Sequence, residues 1–171
     1  TDFKIFTLSI VEDIIEPNLV FLGTDDGLYI SIDAGENWTK WTSGFPTVSV
    51  KDLVIHPREN DLIIGTFGRD AWVLDNIRPL RAIARDKTIL SSTLTLFKPP
   101  TAYQAAYQQP SGTRFGADAI CNGKNKSAGA EFSYYLKINS EDNTKDVKEN
   151  ADSLTLTIYD GDRLIRTLKK T

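Results

Sequence analysis

The chain has 171 residues, of which 40% are hydrophobic and 25% charged, with one cysteine, one histidine and no methionine. A net charge of −3 and a pI near 5.2 leave no basic face for nucleic acid, and no apolar run approaches the roughly 18 residues of a membrane span. Cys121 has no disulfide partner, and His56 alone supports neither a His-based zinc site nor, without a nucleophile elbow, a Ser-His-Asp triad.

In chain order, short runs rich in β-branched and aromatic residues, bounded by Gly, Asp, Asn or Pro, predict strands. They fall at Ile5–Glu12, Leu19–Thr24, Leu28–Ser31 and Trp38–Thr42, then at Val50–Ile55, Leu62–Phe67 and Ala71–Leu74. The segment "NIRPLRAIARDK" reads as a connector with a helical turn, and Ser92–Pro99 as an outer strand of the second group. Residues 100–130, rich in Gln, Gly, Pro, Ala and Ser, read as a linker. Strand periodicity returns in "AEFSYYLKI" and "DSLTLTIYDGDRLIRTLKK", with Asp160-Gly161 predicting a type I′ hairpin turn. Between them lies a polar, charged loop.

The chain repeats itself. "FLGTDDGLYISID" (Phe21 to Asp33) matches "IIGTFGRDAWVLD" (Ile63 to Asp75), with Gly23-Thr24 over Gly65-Thr66 and Asp33 over Asp75, both offset by 42 positions. That period suits a four-stranded propeller blade of about 40–45 residues. The expected fold class is therefore all-β. Two propeller blades span 1–99, a linker spans 100–130, and an incomplete sandwich module spans 131–171. Three strands cannot bury both faces of a sandwich. The absence of methionine and the strand-like opening make the chain read as a piece of a longer protein.

Ser31-Ile-Asp-Ala-Gly-Glu-Asn-Trp38 fits the Asp-box pattern Ser/Thr-x-Asp-x-Gly-x-x-Trp/Phe. The run from Leu19 to Leu80 resembles the closing blades of sortilin-like or BNR-repeat, glycosyl-hydrolase-type β-propeller proteins, and the C-terminal third resembles the start of an Ig-like sandwich. In that group the last blade reads Gly-Thr-His-Gly-Arg-Gly; here Phe67 replaces the histidine and Asp70 the last glycine. The resemblance implies a propeller of the Asp-box type and a secreted, periplasmic or cell-surface protein. It implies no particular activity, because such blades carry hydrolases, lyases and binding proteins alike.

Folding alone accounts for the Asp-box residues Ser31, Asp33, Gly35 and Trp38. The Asp33 carboxylate can accept N–H groups of the following turn, Gly35 can take a positive φ, and Trp38 can lay its ring over the turn. On the opposite face of a propeller lie the loops holding Asp25, Asp26, Arg69 and Asp70. Paired carboxylates there suit glycoside hydrolysis, and an arginine suits an anionic sugar. The favoured reading is structural, with Asp25 and Asp26 serving a hairpin turn and Arg69 pairing with Asp70 or a neighbouring blade, because acidic residues are the default in such turns. Trp41 is the better sugar-stacking platform and Trp72 reads as core. His56 reads as a packed or capping residue, and "NWT" and "NKS" match glycosylation acceptors. No catalytic centre, metal or cofactor is expected within this chain. The expected function is a scaffold or recognition surface for a polysaccharide, glycan or peptide, with self-association or pairing to the rest of a parent propeller. The alternative is one wall of a glycoside hydrolase cleft.

Overall fold

A computed structural model describes residues 5–103, 129–137 and 154–170. The expected Cys121, the "NKS" acceptor and most of the linker lie outside them. The described strands form small antiparallel sheets, in agreement with an all-β class. The first is a meander, β1 (Thr7–Glu12), β2 (Val20–Thr24), β3 (Gly27–Ser31) and β4 (Thr39–Lys40), paired in chain order. The second has three strands, β5 (Val50–Ile55), β6 (Leu62–Thr66) and β7 (Ala71–Leu74). Leu19, Phe21, Leu28 and Ile30 of the first share one core with Leu53, Leu62, Ile64 and Ile77 of the second. Every other residue of a strand points to the same face, so this core uses one face of each sheet.

The two sheets repeat in register as well as in sequence. Val11 opposite Phe21 opposite Ile30 in the first becomes Val54 opposite Ile63 opposite Val73 in the second. Both first strands carry a register irregularity at the same place, between Thr7 and Ser9 and between Val50 and Asp52. One expectation is corrected here. The β2–β6 offset is 42, but Ile30 corresponds to Val73, an offset of 43. The β6–β7 connection is one residue longer, so the Asp33 position falls on Asn76 and not on Asp75, and the Ser31 position on Leu74. The second sheet therefore has no Asp-box.

Where the first sheet turns into β4, the second runs into helix α1 (Arg78–Arg85), longer than the single turn expected. Pro79 suits the first helical turn, where an N–H would be unpaired anyway. Arg81 on α1 is buried and forks onto Asp13 of the β1–β2 loop, with Nε 2.8 Å from Oδ2 and Nη2 2.6 Å from the same oxygen. Its Nη1 donates to Asn60 Oδ1 in the β5–β6 loop. Arg85 reaches Glu16 at 3.0 Å. The helix thus ties the corresponding loops of both sheets together.

Asp86 then starts a 3-10 turn (Lys87–Ser91) by accepting the Thr88 N–H at 2.9 Å. β8 (Leu94–Leu96) was expected as the outer strand of the second sheet; it pairs instead with β9 (Tyr134–Leu136) in a two-stranded sheet. The chain divides into two compact units at Lys137–Ile138. Of the second unit, the described part is a hairpin of β10 (Leu154–Asp160) and β11 (Arg163–Lys170). Its two-residue turn is Gly161-Asp162, one position later than expected. Positive φ occurs at Gly161 (57°) and not at Asp162, the pattern of a II′ rather than a I′ turn.

Candidate functional site

The Asp-box folds as a closed hydrogen-bonded turn. Asp33 Oδ1 accepts the Ser31 hydroxyl at 2.7 Å and the Asn37 backbone N–H at 2.8 Å, while Oδ2 accepts the Asn37 side-chain amide at 2.8 Å. Ser31 Oγ in turn accepts the Gly35 N–H at 2.9 Å. Ala34 and Gly35 both hold positive φ, 57° and 92°. The edge of the Trp38 ring lies 3.5 Å from where a Gly35 β-carbon would stand, so the ring covers the turn. Hydrogen bonds from the Asn37 side chain, the Asn37 backbone and Ser31 lower the Asp33 pKa to about 2.

The acids expected at a sugar site are engaged within their own sheet. Asp25 Oδ1 accepts the Phe6 N–H at 2.9 Å, tying the β2–β3 turn to the start of β1. Asp26 pairs with Lys40 at 2.6 Å and accepts the Tyr29 hydroxyl at 3.3 Å. The Lys40 hydrogen bond holds its carboxyl below the ordinary carboxylate value. In the β6–β7 loop it is the backbone that is used: the Arg69 carbonyl accepts the Trp72 indole N–H at 2.9 Å, and the Asp70 carbonyl accepts both Thr66 donors. Among the described residues no hydrogen bond or ion pair joins Asp25 or Asp26 to Arg69 or Asp70. His56 Nδ1 accepts the Glu59 N–H at 3.1 Å and so caps its own turn. No group of three or more His, Cys, Asp or Glu side chains among the described residues is placed to hold a metal.

The structure brings Trp41 to a different place. Its backbone N–H extends the β3–β4 pairing by donating to the Leu28 carbonyl at 2.8 Å, which turns the indole toward the second sheet. There it lines a cleft of about 290 Å³ together with Phe45, Trp72, Ser43 and Asp75. Phe45 meets Trp72 edge to face, ring centroids 5.5 Å apart and planes at 78°. Gly44, at φ 66°, makes the bend that brings Phe45 over. Trp41, Phe45 and Trp72 all rest against the core and remain half-buried, so they are held in place with part of each ring open. The cleft lies along β7, and among the described residues the second sheet has no fourth strand.

Three aromatic walls with polar groups at the rim form the usual composition of a small-ligand pocket. Trp41 was legible as a platform. Trp72 and Phe45 were not, because their convergence depends on how the two sheets pack. Compared with family models, curated proteins and solved structures, the chain matches none of them.

Proposed function

We propose that this chain is a non-catalytic recognition segment of an exported Asp-box propeller, and that its aromatic cleft holds one sugar ring of a glycan. The observation that carries this reading is the cleft itself. Trp41, Phe45 and Trp72 are anchored by the core yet half-open, and its volume of about 290 Å³ is near the lower end of the roughly 300–1,000 Å³ range for ligand pockets. A pyranose presents C–H faces to such rings and hydroxyls to a rim like Ser43 and Asp75. The propeller assignment is supported by the repeated register and by the Asp-box turn.

The alternative reading, one wall of a hydrolase cleft, has less support. Asp25 and Asp26 are already occupied by Phe6 and Lys40, whereas glycoside hydrolysis needs an acid and a base facing one bond.

Screening the chain on a glycan array, followed by calorimetric titration of any ligand retained, tests the proposal. Trp41→Ala is expected to weaken binding about tenfold or more, roughly 1.4 kcal/mol, while Asp25→Asn leaves it unchanged. A silent array, or binding that survives Trp41→Ala, refutes the glycan reading; retention of peptides instead moves the recognition to protein ligands.

A further inference from the structure

The register repeat identifies a surface that has a template inside the molecule. In the first sheet, Phe21, Gly23 and Ile30 face the second sheet and are covered. Ile30 is 6% exposed. A β-carbon on Gly23 would collide with Ser9 Oγ and stand 2.6 Å from Val50 Cγ1, because β5 comes directly over it. The corresponding residues of the second sheet are Ile63, Gly65 and Val73. Among the described residues no second sheet covers them: Val73 is 54% exposed, its neighbour Val54 51%, and Ile63 is partly buried. The nearest atoms to a β-carbon on Gly65 all belong to its own sheet's Asp52, at 3.5 Å and beyond.

On the opposite face the relation is confined to the first strand. Leu53, opposite Ile64, is 6% exposed and buried against the first sheet; its counterpart Ile10 is 65% exposed, although Leu22 opposite it is buried. The second sheet thus shows a receiving face and the first a strand in the place of β5, and the internal interface supplies the geometry in which the two would meet. Self-complementary ends of this sort generate head-to-tail contacts, which close into rings or continue as filaments.

We propose that a second copy of this chain seats its β1, through Ile10, on the Val54–Ile63–Val73 face of the first, in the register by which β5 covers β2. Gly65 is the gap that admits the incoming strand, as Gly23 admits Val50. This contact uses sheet faces rather than the unpaired strand edges, and of its residues Val73 also borders the aromatic cleft.

Sedimentation of the full chain over a wide dilution series tests it, with circular dichroism confirming that each variant folds. The wild type is expected to rise from one chain to two or more as concentration increases. Ile10→Glu and Val73→Glu, each at an exposed position, should each remain monomeric alone. Mixed in equal amounts they should form a heterodimer, because each still carries the face the other has lost. Gly65→Ala, whose methyl stands at ordinary contact distance from Asp52 in the single chain, should fold and associate more weakly. A wild type that stays monomeric, association unaffected by both glutamates, or variants that do not complement on mixing would overturn the proposal.

Discussion

Gly23 and Gly65 occupy the same position in two successive repeats, yet their environments differ. Neither takes a positive φ, so the difference between them is steric. Gly23→Ala forces its methyl into Ser9 and Val50 and should destabilise the fold by about 1–3 kcal/mol, the cost of overpacking. Gly65→Ala places its methyl at ordinary contact distance from Asp52 and should leave chemical denaturation of the isolated chain within about 0.5 kcal/mol of wild type. Equal losses at the two sites would mean that β5 does not approach β2 as described. Asp33 makes a separate prediction in pH. Its pKa is lowered in the folded chain, from 3.8 to about 2, so its stabilisation is present above the unfolded value and is lost as pH falls through the folded one. The melting-temperature gap between wild type and Asp33→Ala should be constant near neutrality and shrink from about pH 4 to pH 2. A gap independent of pH would rule out the carboxylate as the centre of the turn.

At the scale of elements, α1 does what a fourth strand does in the first sheet: it ends the repeat and ties it down. Burial pushes the Asp13 carboxyl up. Hydrogen bonds from Arg81 and from the Glu16 and Ile15 backbone, with the Arg81 charge, outweigh that and hold it below its ordinary value. Removing one partner leaves the other charge buried and unpaired, so Asp13→Ala or Arg81→Ala should each cost about 3–5 kcal/mol in urea denaturation. The double variant should cost far less than the sum of the two. Additive losses would show that the pair does not act as a unit. The partly exposed pairing of Lys40 with Asp26 should contribute at most about 1 kcal/mol, less than the buried fork of Arg81 on Asp13.

At the scale of the molecule, the first seven strands were legible because apolar alternation and turn residues act over a few positions. β1, β2, β4 and β5 to β7 fall within the predicted runs, and β3 begins one residue before its run. The repeat was legible too, but its register was not. One extra residue between β6 and β7 moves every later residue by one position, and only the ladder partners reveal it. β8 was predicted as a strand and given the wrong neighbour, since a strand's composition carries no label for its partner. In the candidate site Trp41 could be singled out by its type, but the cleft that it lines with Phe45 and Trp72 could not.

The sequence by itself determined the local structure of this protein: an all-β chain, a closed Asp-box turn, and glycines where the backbone must bend or be approached closely. These depend on short-range sterics and hydrogen bonds that neighbouring residues satisfy. Only the tertiary structure decided which sheet face is covered and which is left open. It also decided that Arg81 reaches Asp13 across 68 positions, and that three aromatic rings from separate segments enclose one cleft. Those outcomes depend on long-range packing, where corresponding β-branched residues are buried at Ile30 and exposed at Val73 because Ile30 has the second sheet against it.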